Sequence, residues 1–333
     1  MQIAYLIGNG FDIALGLKTR YSDFYDYYIT VESDSALVNR FKTDLAKGMQ
    51  EADKWSDFEL ALGSYLENLS DNKEFDELTG DIRSQLSTYL KSIQNDFSSE
   101  SNLKESRHIF LEHLFRPEEQ LRGRSKENLR QFYSSINKRP IYYNVINFNY
   151  TNTIEQILGV TRFSNEYINM NHKVNVGNSE RVLNALYHVH GTVFEDMVLG
   201  VNDDEQINNL NFRENRDIRS EFIKAECNLA QDHGVELKCI NLIKVADIIC
   251  IFGSSLGKTD QIWWDLVAEQ VRNRNCRLVV FDYQQDYSPL ISSRRTRFKR
   301  EVMYKIFGDN QPNDLSDKVL FDINSGLFKW GRS

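Results

Sequence analysis

Ile7-Gly8-Asn9-Gly10-Phe11-Asp12, entered from the apolar run Gln2-Ile3-Ala4-Tyr5-Leu6, is the stretch whose reading decides the fold. The run is short, β-branched and aromatic, has no basic flank, and stops at a glycine turn, so it reads as a buried strand and not as a signal peptide. Glycines let a backbone approach a ligand closely and take positive φ, and the helix that follows can then aim its N–H groups at a phosphate. As a dinucleotide fingerprint the turn is incomplete. G-x-G-x-x-G would need glycine where Ile13 stands, and no acidic residue closes a second strand nearby. A nucleotide-binding turn contacting its ligand through Gly8, Asn9, Gly10 and Asp12 and a tight strand-to-helix turn without a ligand both remain open.

Three more apolar runs resemble the first: Tyr142–Asn147, Ala246–Phe252 and Arg277–Asp282, with a fifth candidate at Leu183–Val189. Between the first and second lies Tyr21 to Lys138, charged and helically periodic, with Pro117 as its only proline. The pattern predicts an α/β fold: a Rossmann-type parallel sheet with a large helical insertion between the first and second strands. Residues 1–20 and 139–333 then form the nucleotide-binding domain and 21–138 the insertion. In the alternative, the helices pack directly on the sheet and form no separate domain. Ser164–Arg181 is Asn-rich and reads as a loop, and Asp309–Ser333 as a loop followed by one or two short edge strands.

Composition narrows the class. The 333 residues are 41% hydrophobic and 26% charged, the balance of an ordinary globular protein. No apolar run approaches membrane-span length, so the expectation is a soluble cytoplasmic protein. Cys227, Cys239, Cys250 and Cys276 have neither C-x-x-C spacing nor paired histidines, which argues for scattered buried thiols and against a metal site or a disulfide framework. A net charge of −8 disfavours nucleic acid, and the basic run Arg294-Arg295-Thr296-Arg297-Phe298-Lys299-Arg300 reads as the solvated face of a late helix.

Ligands of open α/β sheets bind beyond the carboxyl ends of the strands, and unusual residues stand there. Asn147-Phe148-Asn149-Tyr150-Thr151 follows the second strand. Asn147 or Thr151 can serve an Asx turn or cap a helix near Thr153, and Asn149 can hold a ribose hydroxyl or a water. In His188-Val189-His190-Gly191-Thr192, strand alternation puts both histidines on one face, and a histidine beside a glycine turn suits general-base chemistry; a structural histidine weighs equally for His188 and less for His190. Gly253-Ser254-Ser255-Leu256-Gly257-Lys258-Thr259-Asp260 tempts toward a P-loop, with Asp282 as magnesium partner, but only three residues separate its glycines where four are needed. Its hydroxyls suit a dinucleotide equally well. Ser56 to Glu59 within Trp55–Glu59 reads as a capping box, with Glu59 as a less favoured carboxylate of the pocket.

In order and spacing these segments resemble the AbiH family of phage abortive-infection proteins across nearly the whole chain: Leu6–Asp12 with Gly16-Leu17-Lys18-Thr19 and Tyr21, Trp55–Glu59, Phe148–Thr151, His190–Thr192, and Gly253–Gly257 with Asp260. More distantly they resemble sirtuins, with Gly8-Asn9-Gly10 for their Gly-Ala-Gly, Asn149 for their ribose-contacting asparagine, His190-Gly191 for their His-Gly and Gly253-Ser254-Ser255-Leu256 for their Gly-Thr-Ser-Leu. Phe148 and Thr151 replace the sirtuin glutamine and aspartate, and the zinc module is absent. The resemblance implies a sirtuin-like sheet and an anti-phage NAD+ glycohydrolase. Asn149 would orient ribose or water, His190 would be the base, and Gly8, Asn9, Gly10, Asp12, Gly253, Ser254, Ser255 and Asp260 would surround the dinucleotide. NAD is then substrate or ligand and no metal is expected. The expected partners are the dinucleotide, a phage-derived trigger and further copies of the chain, with no membrane and no nucleic acid. The alternatives are a nucleotide sensor that oligomerises without turnover and an NTPase using Gly253–Thr259.

Overall fold

The computed structural model describes residues 1–48, 58–100, 103–136, 140–160, 172–176, 179–232, 234–284, 291–309, 315 and 317–329. Its strands are β1 (Gln2–Ile7), β2 (Ile141–Asn147), β3 (His172–Val176), β4 (Ser179–His188), β5 (Ile248–Phe252), β6 (Arg277–Asp282) and β7 (Val319–Ile323). They form one sheet in the order β3-β4-β2-β1-β5-β6-β7. All neighbours are parallel except the β3–β4 hairpin. With β3 set aside, the parallel strands lie third, second, first, fourth, fifth and sixth in chain order. This is the doubly wound Rossmann arrangement, whose switch point falls between β1 and β5.

Four of the runs read from sequence are β1, β2, β5 and β6, to within two residues at their ends. The expectation of a loop at Ser164–Arg181 is corrected for its described part. His172–Val176 and Ser179 onward pair antiparallel, from His172 opposite Leu183 to Val176 opposite Ser179. Edge strand β3 is largely exposed and carries no apolar run, so it gives none of the signal by which buried strands are recognised. Residues 164–171 lie outside the described residues.

The helices are α1 (Gly10–Ala14), α2 (Tyr21–Tyr28), α3 (Ala36–Gly48), α4 (Phe58–Tyr65), α5 (Asn72–Glu100), α6 (Leu103–Phe115), α7 (Gly123–Ile136), α8 (Thr153–Leu158), α9 (Leu210–Glu214), α10 (Arg216–Phe222), α11 (Lys224–Gln231), α12 (Val235–Val245), α13 (Gln261–Asn273) and α14 (Ser292–Phe307). Alternation along β1 sorts its side chains to two cores. Ala4 and Leu6 pack with α12, α13 and α14, whereas Ile3, Tyr5 and Ile7 pack with Phe110 and Leu114 of α6, Phe132 of α7 and Ile157 of α8. Buried donors anchor the carbonyl end of α6, where the last C=O groups of a helix lack internal partners. Tyr5 donates to the Leu114 carbonyl at 2.9 Å, Tyr143 to that of Phe115 at 2.9 Å, and Arg181 also to Phe115.

A third core joins α2–α5 to the chain between Val193 and Ile223, through Phe24, Phe41, Phe75, Leu199, Phe212 and Phe222 among others. The helices between β1 and β2 thus meet two surroundings, α2–α5 the 193–223 segment and α1, α6 and α7 a face of the sheet. Among the described residues no helix is long and apolar enough to cross a membrane. The four cysteines are buried and unbridged, and burial pushes their thiols up.

Candidate active site at the carboxyl ends of the strands

The two glycine turns beyond β1 and β5 lie against each other. Gly8 N–H donates to the Phe252 carbonyl at 2.9 Å and Gly10 N–H to that of Gly253 at 2.7 Å. A Cβ on Gly10 would stand 2.4 Å from Gly253 Cα, and one on Gly8 2.7 Å from the Gly253 oxygen, so both glycines are fixed by this backbone contact. Gly253 itself takes φ +68°, which suits only glycine. Asn9 is held by Thr19, donating to its carbonyl at 2.7 Å and accepting from its hydroxyl at 2.6 Å. The helix expected to present amides to a phosphate, α1, is only Gly10–Ala14, and the Phe11 N–H is returned to the Gly8 carbonyl. What Gly8 and Gly10 do in this structure is close the two turns on each other.

Asp12 is fully buried and accepts from the Thr151 hydroxyl at 2.5 Å. Burial raises its pKa to about 6, against the lowering pull of the hydroxyl and of His188. Asn147 Oδ1 accepts the Asn149 N–H at 3.1 Å, the Asx turn expected of it. Thr151 does not cap α8, whose N-cap is Asn152. Asn149 is buried, and its Nδ2 has no hydrogen-bond partner among the described residues.

The histidines part company, contrary to the single face predicted by alternation. β4 ends at His188, and Gly191 at φ +67° turns the chain away, with no room for a Cβ beside the Asp196 carbonyl. His188 reaches α8. Its Nε2 lies 2.7 Å from Glu155 Oε1, and its Nδ1 lies 2.8 Å from the Asn149 carbonyl. Burial works to lower the His188 pKa, but the Glu155 carboxylate outweighs it and the net shift is upward. His190 packs edge-on to Phe148 at 5.4 Å, and Phe148 in turn stacks on Trp264.

His190 heads a chain of polar groups that is buried except at Asp260, whose side chain is 20% exposed. Its Nε2 lies 2.8 Å from Asp260 Oδ1, the same oxygen accepts from Lys224 Nζ at 2.9 Å, and Lys224 also donates to Glu59 Oε2 at 2.7 Å. Tyr150 closes the far end, donating to Glu59 Oε1 at 3.2 Å and to the Val198 carbonyl at 2.8 Å. Burial alone would make Asp260 a weaker acid and Lys224 a weaker base. Their mutual attraction, with His190 and Glu59, instead holds the carboxyl well below the carboxylate range and the ammonium above its usual value. Both stay charged. An ionised carboxylate only accepts, so the Asp260 bond puts the proton of neutral His190 on Nε2 and the lone pair on Nδ1. That buried Nδ1 has no partner among the described residues.

Sequence reasoning singled out His190, Asp260 and Glu59 separately, and the fold brings them together. It missed Lys224, Glu155 and the bridging role of Tyr150. Lys224, Cys227 and Asn228 are the buried residues of α11, so a lysine on a buried i, i+3, i+4 stripe was the available signal. Ser254 accepts the Leu256 N–H through its hydroxyl at 3.1 Å, and Ser255 and Lys258 are exposed. Of Trp55–Glu59, the residues Trp55, Ser56 and Asp57, with the capping serine, lie outside the described residues.

A family model described as bacteriophage abortive infection AbiH matches residues 4–282, which takes in every element from β1 to β6. No curated protein matches the chain.

Proposed function

The chain belongs to the AbiH family, whose membership implies a role in abortive infection by phage, and from that premise we propose that it acts by hydrolysing NAD+ to nicotinamide and ADP-ribose. The observation that carries the reading is the largely buried line Glu59–Lys224–Asp260–His190, which ends, at the carboxyl ends of the strands, on a ring nitrogen without a partner among the described residues. The Rossmann strand order supports a nucleotide there.

Hydrolysis breaks the bond between C1′ of the ribose and the pyridinium nitrogen, and the electron pair leaves with neutral nicotinamide. Water adds to the oxocarbenium-like carbon, and its proton passes to His190 Nδ1 and then to solvent. Because the leaving group is already good, the protein mainly orients ribose and water and receives one proton. Asn149 Nδ2 is a buried donor for a ribose hydroxyl or for the water. Asp260 and Lys224 act through His190 as positioning residues, fixing its tautomer and stabilising the imidazolium. Ser254 and Ser255 offer hydroxyls to the dinucleotide from the turn of Gly253, and Gly8, Asn9 and Gly10 hold that turn in place. No metal enters the chemistry. Release of nicotinamide by purified, phage-triggered protein tests the proposal.

One observation favours a second reading, a sensor that binds nucleotide without turnover. Asn149 and His190 are 6% and 3% exposed, so in this conformation water and substrate reach neither without an opening of the strand-end loops.

A further inference from the structure

His188 and Glu155 are buried and closely bonded, and they take no part in the chemistry above. Although His188 and His190 stand two residues apart, their acceptors give them opposite roles. Asp260 takes the Nε2 proton of His190 and leaves its Nδ1 as a base, whereas His188 Nδ1 faces the backbone carbonyl of Asn149 at 2.8 Å. A carbonyl oxygen only accepts, so His188 Nδ1 carries a proton and donates it. On the other side of the ring, Nε2 lies 2.7 Å from Glu155 Oε1 of α8. With that carboxyl ionised, the ring is an imidazolium; with it protonated, Glu155 donates to a neutral ring. The bond to Asn149 is the same in both states. Among the described residues, the ionisable groups that face the ring are Glu155 from α8 and Asp12 from α1. Burial opposes the imidazolium, but both neighbours are acids and their attraction outweighs it.

The residue held by His188 is the one read above as meeting the ribose. Asn147 and His188 stand opposite each other as the last register pair of β2 and β4. Asn147 Oδ1 accepts the Asn149 N–H at 3.1 Å, and His188 donates to the Asn149 carbonyl. The ends of two paired strands thus hold both backbone polar groups of Asn149. Its neighbours are tied as well, Phe148 N–H to the Ile7 carbonyl at 2.9 Å and the Tyr150 carbonyl to Val193 N–H at 2.9 Å. A backbone fixed in this way keeps the side-chain amide in one direction, and its Nδ2 has no partner among the described residues.

We propose that His188 is a positioning residue of the strand-end site: held by Glu155, it fixes the Asn149 backbone through Nδ1 and so aims the Asn149 amide at the ribose or the attacking water. The inference rests on the reading of Asn149 as a substrate contact. The two histidines then divide the work, His190 as the base and His188 as a fixed donor that never touches substrate.

Removing the ring alone would strand the Glu155 charge in the interior, so the test uses Glu155→Gln as its background. There, His188→Leu deletes the donor, and His188→Asn puts an amide N–H near the place of Nδ1. In phage-triggered protein, His188→Leu should lower kcat for nicotinamide release at least about tenfold relative to that background, with KM for NAD+ little changed, and His188→Asn should restore most of it. Because His188 acts through Asn149, its loss should add little once Asn149→Ala is present. A merely structural tie would weaken the two His188 variants alike and multiply the Asn149→Ala loss. Undiminished kcat in His188→Leu, no rescue by His188→Asn, or full multiplication overturns the inference and leaves NAD+ hydrolysis standing. A parent that releases no nicotinamide overturns hydrolysis instead. NAD+ affinity by calorimetry then takes the place of kcat: the same loss and rescue support the inference, and equal affinity or no binding overturns it. Nitrogen NMR spectra of the histidine-labelled parent need no substrate and should show a proton on His188 Nδ1; a lone pair there overturns the inference whatever the turnover.

Discussion

His190 Nε2 and Asp260 Oδ1 lie 2.8 Å apart although 70 residues separate them in the chain, one in the turn after β4 and the other at the start of α13. Under the proposed chemistry, Asp260→Asn keeps the shape but replaces a charged group that only accepts with a neutral amide that can also donate, so the histidine tautomer is no longer fixed. The expected loss in kcat is about 10²–10⁴-fold with KM for NAD+ little changed, the pattern of a group that acts on the transition state through another. A melting temperature near that of the parent would show that the loss is not one of folding.

Lys224 is buried between two carboxylates, so Lys224→Met leaves buried Glu59 and partly exposed Asp260 without their shared cation. Breaking a buried pair in this way costs about 3–5 kcal/mol. Urea unfolding followed by circular dichroism should show that drop, and the Glu59→Met/Lys224→Met double variant should recover part of it. If Lys224→Met unfolds at the parental urea concentration, the buried line does not hold the segments together.

The pKa of Asp12 is raised from 3.8 to about 6, so the folded protein binds this proton more tightly than the unfolded chain. Its contribution, about 3 kcal/mol, is fully present below pH 3.8 and is lost as pH rises through about 6. Asp12→Asn imitates the protonated acid. Its melting temperature should therefore exceed that of the parent at pH 7–8, with the gap narrowing as pH falls toward 4. A gap independent of pH would mean that Asp12 ionises as freely in the fold as outside it.

Gly10→Ala and Gly80→Ala should have opposite signs. The first drives a Cβ to within 2.4 Å of Gly253 Cα, backbone against backbone, whereas the second meets nothing within 4 Å on exposed α5. Gly80→Ala should stabilise by about 1 kcal/mol through helix propensity, and Gly10→Ala should destabilise by about 1–3 kcal/mol or more as an overpacked contact. Thermal melts of the two variants against the parent decide the matter. A neutral Gly10→Ala would show that the turns are not closed on each other.

The buried strands were legible because a strand covered on both faces must be apolar throughout, as Ile3–Ile7 and Leu278–Phe281 are. Polar β3 was not, since it is exposed along its length and owes its place to pairing with β4. At the candidate site, glycine turns and strand-end histidines announce themselves locally, so His190 and Asp260 could be singled out from sequence. The bond between them depends on how the turn after β4 rotates at Gly191, which no spacing reveals. Lys224 escaped for a similar reason. One lysine among 40 Lys and Arg residues looks like any other until its neighbours in space are known. The Gly8 and Gly10 amides illustrate the converse: the glycine pattern was read correctly as a close approach, but what approaches is Gly253.

The measurement that bears most directly on the account is nicotinamide released from NAD+ by the purified protein after phage triggering, compared for the parent, Asn149→Ala, His190→Ala and the double variant. The account predicts turnover by the parent and a loss of about 10²-fold or more in each single variant. The double variant should be scarcely worse than either, because groups acting as a unit lose their effect together. Equal turnover by folded His190→Ala, or NAD+ bound without any nicotinamide released by the triggered parent, would contradict it.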